Sequence, residues 1–152
     1  MDLGKLGVWY AADKLTPVQW RRFVQKVESL NYGTLWYSEA RGFESMALGS
    51  FLLAQTKTIC IGSSIANIYA RDAYASRQGL HTLSAVSDNR FVLGLGVSHV
   101  PLVEQVRGTP IPNRWPPCVR TWINCIQNRM TAGPCPWSWQ HWGPKCWLCR
   151  LN

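Results

Sequence analysis

The feature that most constrains the fold of this chain is an apolar run at 91–97, which ends in glycines and is followed by Ser98 and His99. Its sequence, FVLGLGV, shows no alternation of polar and apolar residues, which is typical of a strand buried on both faces. Such strands belong to parallel sheets, where functional groups collect at the carboxyl ends of the strands. The run therefore predicts one fully buried strand with Ser98 and His99 at its functional end.

Three further strand patterns precede this run, and a helical pattern follows each of them. We predict the strands at 6–11, 34–39 and 58–66. We predict the helices at about 17–30, 44–55 and 73–87. The first helix has a capping box in Thr16 and Gln19 around Pro17, and Asp72 is placed to cap the third. Strands that alternate with helices predict right-handed βα units and a parallel sheet.

Four βα units are compatible with a doubly wound sheet and with half of an eight-stranded barrel. A dinucleotide-binding sheet carries a glycine fingerprint after its first strand, whereas residues 11–14 read AADK. The later GLGVSH segment has His99 in place of the third glycine, and Pro101 crowds the expected start of a helix. The sequence therefore favours an α/β chain that forms the N-terminal half of a (β/α)8 TIM barrel.

Composition divides the chain into two parts near residue 108. All eight acidic residues lie at or before Glu104, whereas residues 105–152 carry six Lys/Arg and no acid. The segment from Pro110 onward also holds five of the six Cys, six of the nine Trp and seven of the nine Pro residues. We therefore predict a half barrel at 1–108 and an irregular tail at 109–152.

The cysteines and the N-terminus indicate a cytoplasmic protein. No apolar signal segment precedes the first strand, and no run is long enough to span a membrane. Cys60 lies in an apolar strand pattern, as expected of a small buried thiol. The tail contains the CxxC pair Cys146 and Cys149, but its cysteine spacings match no paired zinc module, so no metal site is predicted.

Two titratable residues are expected at the same edge of the sheet. Glu39 ends the second predicted strand as His99 ends the fourth, and the carboxyl ends of parallel strands share one face of the molecule. Ser98 and His99 do not form a nucleophile and base pair in this interpretation, because adjacent strand residues point to opposite faces. Glu39 and His99 are therefore the candidate catalytic residues.

Three segments together resemble a known family: residues 31–39 (NYGTLWYSE), 61–72 (IGSSIANIYARD) and 90–99 (RFVLGLGVSH). They are similar to the luciferase-like monooxygenase superfamily, and within it to the branch of coenzyme F420-dependent oxidoreductases. The resemblance implies a (β/α)8 barrel with a flavin or deazaflavin ring across the carboxyl ends of its strands. It also implies a non-proline cis peptide bond in a bulge after the third strand, which falls here between Ser64 and Ile65.

The resemblance also implies roles for individual residues. Glu39 and His99 would flank the ring as catalytic residues. The cofactor-binding residues would be Phe43, Ser64, Ile65, Ala66, Asn67, Gly96 and Ser98. In the sugar-phosphate branch a histidine, a tryptophan and a glutamate occupy the positions of Glu39, Phe43 and His99. Since none of the three agrees in type, that substrate does not carry over.

The implied activity is hydride transfer between coenzyme F420 and a small organic substrate, and an FMN-dependent monooxygenase is the alternative. A small-molecule substrate is expected, with neither nucleic acid nor membrane as a partner, and intact relatives are expected to form homo-oligomers. A different class of function, a basic protein that binds nucleic acid or metal through its tail, is disfavoured because the tail shows no helical periodicity.

The tail has the composition of a coding sequence read out of frame. With each codon begun one base earlier, Trp115 followed by Pro116 forces GCC, alanine, and Trp122 followed by Ile123 forces GAT, aspartate. The permitted readings around these codons are similar to the segment that the family places after its fourth strand. We therefore expect a frameshift near residue 110 and a truncated, inactive chain.

Overall fold

The fold is described by a computed structural model over residues 2–111, so the predictions for the rest of the tail lie outside the described residues. The strands are β1 (Gly7–Tyr10), β2 (Thr34–Tyr37), β3 (Cys60–Ser63), β4 (Ala66–Asn67), β5 (Phe91–Val92) and β6 (Leu95–Gly96). The helices are α1 (Pro17–Ser29), α2 (Ser45–Ala54) and α3 (Ala73–Val86), with a 3-10 turn at Ala12–Lys14 and a π-helical segment at Pro101–Val106.

The sheet is parallel, as predicted. Its strands lie in the order β1-β2-β3-β5, and β4 and β6 form a second parallel pair beyond the ends of β3 and β5. Thr34 pairs with Gly7 on one side and with Cys60 on the other, so the first three strands are aligned along their whole length. All carboxyl ends therefore meet at one edge of the sheet.

Local sequence signals set the helix ends. The capping box of Thr16 and Gln19 is formed at the start of α1, where the Thr16 N–H donates to the Gln19 side chain over 2.9 Å. The carboxylates of Glu44 and Asp72 cap α2 and α3 by accepting from backbone N–H groups in the first turns. After α1, Asn31 adopts a φ of 59°, the left-handed conformation that stops a helix.

The helices pack against one face of the sheet, and this face forms the core. Leu35 and Tyr37 of β2 are fully buried there with Trp20 of α1 and Leu52 of α2. The alternate residues of β2 point to the other face, where the Trp36 ring lies over Gly7 and Gly62 of the two neighbouring strands. A Cβ at Gly62 would overlap that ring, so the glycine makes room for it.

The prediction of one fully buried strand at 91–97 is wrong. The run forms two short strands, β5 and β6, and only Phe91 within it is buried. The interruption occurs because the Ser63 hydroxyl replaces ladder bonds by donating to the Gly94 carbonyl over 2.9 Å and accepting from the Gly94 N–H over 3.0 Å. The predicted third strand at 58–66 is likewise divided into β3 and β4.

Cys60 lies at the first position of β3. The Cys60 thiol is buried as predicted, and this burial raises its pKa. Within residues 2–111, no helix is long and apolar enough to cross a membrane.

Candidate functional site

A backbone bulge lies at the carboxyl edge of the sheet, between β3 and β4. The Ser64–Ile65 peptide bond is cis, as the sequence resemblance predicts. The Ser64 N–H donates to the Tyr37 carbonyl over 2.6 Å, and the Ile65 carbonyl accepts from the Glu39 N–H over 3.1 Å. On the other side, the Ala66 N–H donates to the Gly94 carbonyl over 2.7 Å. The bulge is therefore fixed to both neighbouring strands.

Gly96 leaves the space that the bulge occupies. A Cβ at Gly96 would lie 2.9 Å from Cγ1 of Ile65, so a side chain at this position would displace the bulge. Asn67 pairs with Gly96 in the β4–β6 register, and Ser98 follows two residues later with a φ of 61°. The structure thus brings Ile65, Ala66, Asn67 and Gly96, predicted to bind the cofactor, into adjoining strand segments.

Asn67 is fully buried, and its side chain is only partly satisfied. Its Oδ1 accepts from the Tyr69 N–H over 2.9 Å, but no described residue accepts a hydrogen bond from Nδ2. Buried polar groups almost always have partners, so an unsatisfied amide beside a glycine-lined bulge is consistent with a ligand or water in the functional protein.

Glu39 holds the loop after β4 through an ion pair with Arg71. The two carboxylate oxygens of Glu39 accept from the two terminal nitrogens of Arg71 over 2.5 and 3.2 Å, and Oε2 also accepts from the Asn67 N–H over 2.6 Å. Arg71 pairs with the Glu44 carboxylate as well. Burial alone would lower the pKa of Arg71, but Glu39 and Glu44 outweigh it and hold this pKa above its ordinary value.

Tyr37 joins β2 to α2, the two elements on either side of Glu39 in the chain. Its hydroxyl donates to the Ser45 carbonyl in the first turn of α2 over 2.6 Å. Burial raises the pKa of this hydroxyl well above its ordinary value, so Tyr37 stays a neutral donor. It fixes α2 to β2 directly beneath Glu39.

A cavity of about 500 Å³ opens beside the ion pair. It is lined by Glu39, Ala40, Arg41, Gly42, Phe43, Glu44, Ala70, Arg71 and Arg107. The volume is within the range of small-molecule pockets. Phe43, predicted to bind the cofactor, is half-buried in its wall.

His99 lies apart from this cavity. Its side chain is exposed, and its backbone carbonyl accepts from the N–H groups of Leu102 and Val103 at the start of the π-helical segment. Glu39 and His99 both lie at the carboxyl edge, but only Glu39 lines the cavity. The catalytic roles of Glu39 and His99 stay predictions.

Three site residues were not identified from the sequence. The indole N–H of Trp9 donates to the Ser64 carbonyl over 3.3 Å, so β1 also contacts the bulge. Arg41 and Arg107 line the cavity from loops that are far apart along the chain. Trp9 could have been identified from the sequence, because it lies near the carboxyl end of the first predicted strand. Nothing in the sequence indicates that Arg41 and Arg107 lie near each other.

The family of the chain follows from its sequence similarity. The model of the luciferase-like monooxygenase family matches residues 1–132, and the chain belongs to this family. Over 122 residues it is 30% identical to a Mycobacterium tuberculosis protein named as a coenzyme F420-dependent oxidoreductase. That match covers 80% of this chain and 33% of the relative.

Solved structures with low sequence identity to this chain show the same fold. The coenzyme F420-dependent tetrahydromethanopterin reductase of Methanopyrus kandleri superposes with a TM-score of 0.74 at 19% identity, over 87% of this chain and 42% of that one. The oxygenating component of 3,6-diketocamphane monooxygenase from Pseudomonas putida, in complex with FMN, gives a TM-score of 0.64 at 16% identity, over 79% and 38% of the two chains.

These matches confirm the α/β class and the parallel sheet of a luciferase-like TIM barrel. The chain spans about a third of the length of the mycobacterial relative and less than half of either solved structure. The activity of a whole family member is therefore a matter for proposal.

Proposed function

We propose that this chain is the N-terminal part of an oxidoreductase that transfers a hydride between coenzyme F420 and a small organic substrate. The family match and the name of the mycobacterial relative support this proposal. The observation that carries it is the bulge at Ser64 and Ile65, packed into the space left by Gly96 at the carboxyl edge of the sheet.

The residues at this edge fit a flat heterocyclic ring. Gly96 and the backbone of the bulge form a surface with little side-chain obstruction, and the family places its ring at this end of the strands. The unsatisfied Nδ2 of Asn67 offers a hydrogen-bond donor, and deazaflavin and flavin rings carry carbonyl acceptors. Ser64, Ile65, Ala66, Asn67, Gly96 and Ser98 would hold the ring.

When bound, the deazaflavin supplies the hydride chemistry, and the protein supplies binding and orientation. In this proposal Glu39 is a positioning residue, because both of its oxygens are engaged by Arg71 and by the Asn67 N–H. It fixes the loop that begins at the bulge. His99 has an exposed imidazole at the carboxyl edge of the sheet and would flank the ring as a catalytic residue.

Cofactor titration tests the proposal. A gene in which the predicted frame is restored should give a protein that binds coenzyme F420 more tightly than FMN. The quenching of tryptophan fluorescence measures both affinities. The protein should also reduce the deazaflavin in the presence of substrate. Absence of saturable F420 binding by a folded, monodisperse protein would contradict the proposal.

The second candidate function is an FMN-dependent monooxygenase. It is favoured by the family description and by the FMN complex of the Pseudomonas putida enzyme. Tighter binding of FMN than of coenzyme F420, together with oxygen consumption in the presence of reduced FMN, would establish this alternative.

A further inference from the structure

The cavity beside Glu39 is lined by three separate segments of the chain. The first is the loop 40–44 after β2, the second contains Ala70 and Arg71, and the third contributes Arg107. The loop is held from behind by Asp13, whose carboxylate accepts from the N–H groups of Arg41 and Gly42 over 2.9 Å each. The loop 40–44 is therefore tied to the 3-10 turn that follows β1.

The cations of the cavity differ in how they are neutralised. The Arg71 guanidinium is shared between Glu39 and Glu44. Neither Arg41 nor Arg107 has a side-chain hydrogen bond or ion pair with any residue of the described part of the chain. Guanidinium groups bind carboxylates and phosphates strongly, often through two parallel hydrogen bonds. The two free arginines are therefore available to a ligand.

The rest of the wall is apolar. Phe43 is half-buried, and Ala40 and Ala70 contribute methyl groups. Apolar walls with a few charged groups are typical of sites for small organic molecules.

We propose that this cavity binds a small organic acid, with its carboxylate on Arg41 and Arg107 and its apolar body against Phe43. The proposal rests on the proposed function, because it names the substrate class of that oxidoreductase. The cavity is adjacent to the proposed ring site, since the N–H of Glu39 in its wall donates to the Ile65 carbonyl of the bulge over 3.1 Å.

The charge of the lining selects a monoanion. Three arginines face two glutamates around the cavity, which leaves one net positive charge (3 − 2 = 1). A carboxylate of charge −1 neutralises this excess. A phosphate close to −2 would instead leave an uncompensated negative charge beside Glu39, which is unfavourable where solvent is partly excluded. A phosphate monoester, such as that of FMN, is therefore a weaker candidate than a carboxylate.

The experiment uses the full 152-residue chain, fused to a soluble partner that is also titrated alone. Benzoate, its neutral analogue benzamide, and inorganic phosphate are titrated by calorimetry. We expect benzoate to bind at least about tenfold more tightly than benzamide, because charge-assisted hydrogen bonds are the stronger class. Arg41→Gln and Arg107→Gln should each weaken benzoate binding about tenfold. Arg22→Gln, on the exposed face of α1, is the matched control and should leave it unchanged.

Equal affinity for benzoate and benzamide, no benzoate binding by the wild-type fusion, or full binding by both cavity variants would each overturn the proposal. Phosphate that binds more tightly than benzoate, and is lost in the same variants, would show a phosphate site and overturn it as well. Coenzyme F420 titrations of the frame-restored wild type and of its Arg41→Gln variant separate the two proposals. F420 binding by both proteins, with benzoate binding weakened only in the variant, supports both proposals. Benzoate binding by the frame-restored wild type without F420 binding contradicts only the proposed function.

Discussion

Glu39 and Arg71 lie 32 residues apart in the chain and form a bidentate ion pair. The pair joins the segment after β2 to the loop after β4. The side chain of Glu39 is only 2% exposed and that of Arg71 only 11% exposed. The pair therefore ties together the two loops that border the proposed ring site and the cavity. The loss of one partner would leave a charge with little access to water.

Glu39→Gln should lower the free energy of unfolding by about 3 kcal/mol, because it leaves Arg71 without its buried counter-charge. Glu44→Gln should cost less than about 1 kcal/mol, since the Glu44 side chain is 49% exposed and Gln keeps an acceptor for the α2 cap. Urea denaturation of the two variants measures the difference. Equal losses of unfolding free energy in the two variants would show that the buried Glu39 pair stabilises the chain no more than the exposed Glu44 pair.

Glu28 makes stability depend on pH. Burial alone would raise the pKa of Glu28, but hydrogen bonds from the N–H groups of Thr58, Lys57 and Ile59 outweigh it, and the pKa is lowered. A group with a lowered folded-state pKa stabilises the protein above its ordinary pKa of about 4.5 and loses that contribution as pH falls further.

Glu28→Gln should therefore be less stable than the wild type at pH 7, and the difference should shrink as pH falls from about 4.5 toward the lowered folded-state pKa. Urea midpoints measured across this range test the prediction. A difference that is constant with pH would show that the Glu28 charge contributes nothing.

Gly96→Ala should destabilise the chain by about 1–3 kcal/mol and weaken cofactor binding, because the new Cβ would lie 2.9 Å from Ile65 Cγ1 and displace the bulge. Gly79→Ala is the matched control with the opposite expected sign. Its Cβ would meet only the flexible end of Met46, and alanine is favoured over glycine inside α3 by up to about 1 kcal/mol. Thermal unfolding of both variants would measure the signs, and a stabilising Gly96→Ala would contradict the proposed packing.

The 152-residue chain by itself should be inactive and associate in solution. In the described sheet β1 and β5 are edge strands, and Trp9 on β1 is 55% exposed. Unpaired edges and exposed aromatic surface favour association. Size-exclusion chromatography with light scattering should give masses above that of one chain. A monodisperse monomer with measurable deazaflavin reduction would contradict this expectation.

The nucleotide sequence tests the predicted frameshift. The alternative frame that begins near codon 110 should encode the other four βα units of the barrel. The family match extends to residue 132, beyond the predicted change of frame near residue 110, so the codons between 108 and 132 are the region to inspect first. Early stop codons or unrelated sequence in that frame would contradict the prediction, and the tail would then require a role of its own.

Much of the fold could be predicted because its signals are local. The capping box at Thr16 and the cap at Asp72 act over a few residues, and both are present in the structure. The cis bond after Ser64 followed from the resemblance rather than from any local rule. The division of the run at 91–97 was missed because it depends on the Ser63 hydroxyl, which lies 31 residues away from Gly94.

The sequence by itself determined the alternation of strands and helices, the parallel sheet and the edge at which Glu39 and His99 lie, because periodicity and capping are properties of neighbouring residues. Only the tertiary structure decided that Glu39 is bound by Arg71 while His99 is exposed, and that Arg41 and Arg107 share one cavity. Those relationships depend on strand register and loop packing between distant segments. The direction and partner of a side chain are fixed only when both segments are in place.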